Sequence, residues 1–432
     1  MMQNLYKAVI RASLVVGAGL MMALPASAQV NVNYNLPSAE VIQERKDNRK
    51  NQAVSERVGR RIMSAFELYE ADDMQGAIAE LADLSPSDAF DIAYVNRFLG
   101  AFYASEDQTT QGIRLLKQSA DADVLGWSDQ KAALKTLADL YLQEEDYNNA
   151  LRYYDKWLQF TGEADPDVFL RIANAYYELK QYDKVIKPAD MALQSYDEPN
   201  KNPYILKMAS YYEREMFADA ITVLEEGLNV IPTETGWWNQ LANFYMLEER
   251  IEKALETIEI AYLAGYLDSE NQHRVLIQLY ANNQIPYKAA TLMAKHINAG
   301  DIEKNTRNAQ SAARNFEGAR EFLKAAEWYG YAADWAESGA EKGDLHRRQG
   351  IAFIRAEEYA KAATALNRAL EFELDKEGAV YMALAEAYLY TRDYRQALDA
   401  ATTAQQYDSE RRSARSWAGY IRNIAERRGV SL

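Results

Sequence analysis

The chain of 432 residues contains no cysteine. That excludes disulfides, thiolate metal sites, thiol catalysis and a cysteine-linked lipid anchor, and it is compatible with an oxidising, exported compartment. Proline and glycine are scarce, at 9 and 20 residues, so few positions interrupt a helix. Positive charge is short as well. Lys and Arg number 48 against 64 Asp and Glu, for a net charge of −16, which argues against nucleic acid or anionic lipid as the main partner. Beyond the first 28 residues there is no apolar run near the ~20 residues that span a bilayer. The phosphate-binding pattern G-x-x-x-x-G-K-S/T, the zinc-protease pattern H-E-x-x-H and the nucleophile elbow G-x-S-x-G are all missing. No pair of acids stands out for general acid–base work among so many carboxylates. The expectation is a non-enzymatic protein without a cofactor.

What the chain does contain is a ladder. An aromatic recurs at Tyr103, Tyr141, Tyr176, Tyr211, Tyr245, Tyr280, Phe316, Phe353 and Tyr388. Nine positions after each stands a small residue in almost every case: Gly112, Ala150, Val185, Ala220, Ala254, Ala289, Ala325, Ala362 and Ala397. A period near 34 residues is the mark of stacked helical hairpins. The large residues share one face of a first helix. The small residue lies where a second helix crosses the first, and a bulky side chain there would force the axes apart.

The clearest copy reads Trp238-x2-Leu241-Ala242-x2-Tyr245, followed by Ile251, Ala254 and Ile258. It resembles the tetratricopeptide repeat (TPR) family, whose signature is W-x2-L-G-x2-Y, then A-x3-F, then P. Copies begin near Val58, Ala93, Lys131, Pro166, Lys201, Thr235, Glu270, Thr306, Gly343 and Gly378, the first being degenerate at Leu68 and Ala77. The resemblance implies an all-α fold, a right-handed α-solenoid of about ten hairpins over residues 58–411. Residues 412–432 would then supply a C-terminal capping helix and tail, with Trp417, Tyr420, Ile421 and Ile424 on its apolar face.

At the other end, Lys7 and Arg11, the apolar stretch from Ala12 to Leu24 and Pro25-Ala26-Ser27-Ala28 read as a secretory signal, residues 1–28, cleaved after Ala28. Cleavage would leave a periplasmic protein with no stable membrane insertion. Losing Lys7 and Arg11 takes the net charge from −16 to −18. Residues 29–57 form a polar, charged arm outside the repeat, read as a solvated leader to the first hairpin in preference to a docking segment. The histidines, His273, His296 and His346, are read as lying in three different repeats without i, i+4 pairing, so no metal site is expected.

In the TPR family the first helix of each pair lines the concave face. Applied position by position, that resemblance assigns partner contacts to Asn174, Tyr177, Tyr212, Asn239, Asn243, Arg274, Arg307 and Arg314, with Arg347 and Arg355 further along. Arginine forks suit carboxylates, and amides suit a peptide backbone, so the expected partner is an envelope protein or peptide segment of acidic character. The competing reading pairs these arginines with Glu317, Asp344 and Glu386. The carboxylate clamp of chaperone-binding TPRs is not reproduced, because Lys135 is followed by Asp139 and Asn239 precedes Asn243.

Residues 49–58, with Asn96-Arg97-Phe98-Leu99-Gly100-Ala101-Phe102-Tyr103, also resemble exported proteobacterial TPR proteins encoded beside TonB–ExbB–ExbD systems. That likeness implies an accessory role in TonB-linked transport. The alternative is a scaffold for polysaccharide export or envelope assembly, suggested by thirty tyrosines that could stack on sugars.

Overall fold

A computed structural model describes residues 30–49 and 52–432. The expected signal over residues 1–28 and its cleavage site lie outside the described residues. The regular structure of those described is all helical, without strands, and no helix among them is long and apolar enough to cross a membrane.

The chain divides into two compact units between Glu215 and Met216. In the first, a lone helix α1 (Ala39–Asn48) precedes four hairpins. These are α2 (Glu56–Glu70) with α3 (Met74–Ala82), α4 (Ala89–Ser105) with α5 (Thr109–Ala122), α6 (Trp127–Gln143) with α7 (Tyr147–Thr161), and α8 (Pro166–Glu178) with α9 (Ile186–Ser195). Helix α10 (Asn202–Glu213) follows. The second unit opens with α11 (Phe217–Val230). Its hairpins are α12 (Thr235–Leu247) with α13 (Ile251–Leu263), α14 (Glu270–Asn282) with α15 (Pro286–Ala299), α16 (Thr306–Gly318) with α17 (Phe322–Trp335), α18 (Gly339–Arg355) with α19 (Tyr359–Ala369), and α20 (Glu377–Tyr390) with α21 (Tyr394–Ala404). Helix α22 (Arg411–Arg427) packs on α21. Within each unit a helix packs chiefly on its neighbours in sequence, as a solenoid requires.

The ladder explains why. All nine small positions are buried, and the eight with a Cβ are fully so. At the ninth, a Cβ on Gly112 would stand 2.7 Å from the carbonyl oxygen of Gly100, so α4 and α5 cross backbone to backbone there. Of the aromatics, Tyr141, Tyr176, Tyr245, Tyr280, Phe316 and Phe353 are buried, whereas Tyr103, Tyr211 and Tyr388 are half-buried.

A second periodic feature is visible only in the structure. Four residues after each ladder aromatic the chain turns left-handed, at Asp107, Glu145, Lys180, Glu215, Glu249, Gln284, Arg320, Glu357 and Arg392, with φ between 55° and 64°. Asp72 does the same after Leu68. The next amide returns to the ladder carbonyl, as in Arg250 N–H to Tyr245 O at 2.8 Å and Glu321 N–H to Phe316 O at 2.9 Å. This is the helix-ending turn that usually carries glycine. Here charged and amide side chains occupy it, which keeps the sequence signal silent. One hairpin departs from the pattern: Pro188 lies within α9, and the turn before it is 3₁₀ over Tyr182–Lys184. A proline ring excludes the carbonyl four residues back, that of Lys184.

Two expectations need correction. On α22 the buried stripe is Ala414, Ala418, Ile421 and Ala425. Trp417 and Ile424 flank it and Tyr420 is 54% exposed, because small residues let the helix lie close to α21. The solvated leader is also wrong. Residues 30–49 form a strap folded onto the first unit. Val32 joins the core cluster around Trp157 and Tyr176, with Val30, Tyr34 and Leu36 packed against it. The Tyr176 hydroxyl accepts from Val32 N–H at 3.0 Å and donates to Val30 C=O at 3.2 Å. Asn33 is held on both sides, its N–H donating to Asp155 at 2.8 Å and its C=O accepting from Gln159 at 2.7 Å. Arg49 donates to the Leu125 carbonyl and pairs with Asp123 at 2.9 Å. Arg45 and Arg49, part of the charge that suggested solvation, tether the strap.

Candidate functional site: an arginine-lined cleft

The positions assigned to partner binding fall in both units, and each set stands within its own. In the first, Asn174 on α8 lines a cleft of about 340 Å³ with Leu170, Arg171, Asn202, Ile205 and Leu206. Arg171 is committed to Asp139. Tyr177 is outside that lining and stacks at a tilt on Tyr182, ring centroids 5.3 Å apart. Burial, reinforced by the Glu213 carboxylate, pushes its hydroxyl up to about 12, so it stays protonated. Tyr212, on α10, is half-buried.

In the second unit Asn239 and Asn243 lie one turn apart on α12, both half-buried. The Oδ1 of Asn239 is buried and has no hydrogen-bond partner among the described residues. A buried acceptor without a donor costs about 1–3 kcal/mol.

Arg274, Arg307 and Arg314 converge. They line one cleft of about 150 Å³ between α14 and α16, together with Gln278, Asn308, Ser311 and Asn315. That is below the roughly 300–1,000 Å³ of small-molecule sites, so the cleft fits a side-chain-sized group. Helical spacing brings the arginines there: Arg307 and Arg314 are seven residues, two turns, apart on α16. Arg274 reaches Glu270 only at 3.4 Å. Arg307 and Arg314 are exposed and form no ion pair among the described residues. Three cations, two of them without an acid partner among the described residues, form a local reversal of sign in a chain of net charge −16.

The paired reading holds for the other two arginines. Arg347 is held by Asp344 at 2.6 Å, an acid shared with Arg348. Burial alone would raise the Asp344 carboxyl, but hydrogen bonds from Arg348 and Arg347 hold it below the usual range. Arg355 pairs with Glu317. Glu386 forms no ion pair among the described residues, and burial pushes its carboxyl up.

The histidines were misplaced. His273 and His296 belong to the same hairpin, on α14 and α15, with ring centroids 4.0 Å apart. With Asp301 they bring three potential ligand atoms within 4.8 Å of one another. The signal was present, since both residues fall between Glu270 and Thr306. His346 is separate, half-stacked on Phe372 at 6.2 Å. Both His273 and His346 are 7% exposed, in line with packing inside their hairpins.

No family model matches the chain, and no curated protein matches it. Solved structures do align. MamA from MSR-1 shares 19% identity, covering 41% of this chain and 99% of that one, at a TM-score of 0.35. A tetratricopeptide repeat protein from Parabacteroides merdae shares 11% identity over 69% of this chain and 100% of that one, at 0.36. The C-terminal part of a TPR repeat-containing protein from Cytophaga hutchinsonii shares 16% over 65% and 98%, at 0.35. Similarity at this level carries no argument about function.

Proposed function

We propose that the protein is an exported, non-enzymatic scaffold of the periplasm. Its second unit holds an acidic segment of a protein partner, with Arg274, Arg307 and Arg314 receiving carboxylates. The observation that carries this reading is the cleft between α14 and α16, lined by three guanidinium groups of which two lack an acid partner among the described residues. Asn239, whose buried Oδ1 lacks a donor, and Asn243 supply the contact to the partner's backbone. Asn174, Tyr177 and Tyr212 are assigned further contacts within the first unit. An accessory role in TonB-linked transport is the narrower form of the proposal, resting on the likeness of residues 49–58 and 96–103.

A labelled Glu-rich peptide tests the cleft directly. Binding should fall with added salt. Because Arg307 and Arg314 are exposed, each Arg→Ala change should cost up to about 1 kcal/mol, roughly fivefold in Kd, with helicity and melting unchanged. Undiminished binding by the triple variant would remove this cleft as the site. The scaffold for polysaccharide export has one observation in its favour, the Tyr359–Tyr390 stack at 4.5 Å with Tyr390 57% exposed. Binding of an oligosaccharide that is lost in Tyr390→Ala and indifferent to salt would favour it.

A further inference from the structure

We propose that His273, His296 and Asp301 form a binding site for a late first-row divalent transition metal, zinc above all. The three come from α14, from the last turn of α15 and from the loop after it, and their ligand atoms lie within 4.8 Å of one another. Zinc holds imidazole nitrogen and carboxylate oxygen at about 2.0–2.2 Å in a tetrahedron, so ligand atoms on one ion stand roughly 3.3–3.6 Å apart. Side-chain rotations, freest at Asp301, the exposed member at 47%, would bring separations of up to 4.8 Å, and the 2.8 Å between His296 Nδ1 and Asp301 Oδ2, to that spacing. Two imidazoles and one carboxylate leave a fourth position for water, a donor set that suits zinc and not magnesium or calcium.

The protonation pattern already suits a ligand set. His273 Nδ1 stands 2.9 Å from the Ser269 carbonyl. A carbonyl can only accept, so Nδ1 carries the proton and Nε2 carries the lone pair. This is the carbonyl anchor that orients metal-bound histidines. His296 Nδ1 is 2.8 Å from Asp301 Oδ2, and its Nε2 is 3.0 Å from the Tyr262 hydroxyl, which also accepts from Lys295 at 2.7 Å. When the metal enters between Nδ1 and the carboxylate, the imidazole proton shifts to Nε2 and is donated to the Tyr262 oxygen. The Tyr262 hydrogen turns to another acceptor. No proton is lost, and both nitrogens of His296 stay engaged. Both rings are buried, at 7% and 4% exposure, while the acid faces water and gives the ion its way in.

The ion would clip together the helix that carries Arg274 and the loop leading to Arg307, yet the site does not depend on the arginine cleft having a ligand. The test uses untagged, chelator-stripped protein titrated with zinc chloride by calorimetry, and with cobalt(II) followed by visible absorption. One equivalent should bind, cobalt should show the intense bands of a tetrahedral ion, and the melting temperature should climb with zinc concentration. Asp301→Asn changes an exposed group and should preserve the fold while weakening binding at least about tenfold. His273→Gln should do the same, and His346→Gln should leave binding unchanged. Absence of saturable one-to-one zinc binding in the unaltered protein would overturn the proposal. So would equal affinity in the folded Asp301→Asn and His273→Gln variants.

Discussion

Replacing Tyr176 by Phe removes one oxygen from beneath the strap and leaves the ring in the core. That oxygen accepts from Val32 N–H at 3.0 Å and donates to Val30 C=O at 3.2 Å. Val32 is only 8% exposed, so its amide finds no water in compensation, and an unpaired buried donor costs about 1–3 kcal/mol. Val30 is half-buried and its carbonyl can regain solvent, which places the sum toward the lower end, about 1–2 kcal/mol. Such a loss raises the opened fraction of the strap by roughly 5- to 30-fold. The strap keeps the bonds of Asn33 to Asp155 and Gln159 and the apolar contacts of Val32 and Ile42, so it should open locally without global unfolding. Native-state hydrogen exchange over residues 30–48 is the assay. Exchange there should accelerate, with helices α12 to α21 unaffected. Tyr329→Phe, which removes a hydroxyl bonded to Glu317 at 3.0 Å in the other unit, should leave residues 30–48 unchanged. A folded Tyr176→Phe protein with unaltered exchange over the strap would refute the reasoning.

Gly112→Ala should destabilise by about 1–3 kcal/mol, read as a fall in the urea midpoint, because its Cβ meets the Gly100 carbonyl at 2.7 Å and neither backbone can yield freely; an unchanged midpoint would mean that α4 and α5 do not cross there. Glu249→Gly and Arg320→Gly should each raise stability by about 0.5–1 kcal/mol, the left-handed strain relieved less the flexibility added to the unfolded chain; a loss of stability would show that their side chains make a contact worth more than the strain. Burial, aided by the neighbouring His296, holds the His273 imidazole below its ordinary 6.5. The unfolded chain therefore takes up the proton first, so the stability contributed by neutral His273 is complete above about 6.5 and is lost as the pH falls below it. Melts of metal-free His273→Gln should show a flatter acid limb just below that pH, and an identical slope would contradict the assignment.

The hairpins were legible because each repeats a local problem. Two helices must cross closely, so a small residue faces a large one at fixed spacing, and the copies expected at Pro166, Thr235, Glu270 and Thr306 start on the first residues of α8, α12, α14 and α16. The left-handed turns recur at the same period but hold Asp, Glu, Lys, Gln or Arg, residue types that would serve equally on a solvated helix face. The His273–His296 pairing lay within reach of the repeat register, but the fit of Asp301 beside them did not. Which arginines are free was beyond the sequence altogether. Arg355 meets Glu317 across 38 residues, while Arg314 has no such acid among the described residues, and the spacing of both is the same kind of helical spacing.

The strap marks the division most sharply. Its residues lack the hairpin period; Val30, Val32, Tyr34 and Leu36 alternate with asparagines, a pattern that marks one apolar face without naming what covers it. Its partners are 74 to 153 residues away, from Asp123 for Arg49 to Lys184 for Asn31. The sequence alone determined what each helix does to its neighbour, because packing between adjacent helices imposes a period on residue type. Tertiary structure alone decided the strap, the guanidinium groups without an acid partner among the described residues, and the histidine–aspartate cluster. Each of these depends on distances between groups remote in the chain, and a hydrogen bond or ion pair acts over about 3–4 Å while imposing no period at all.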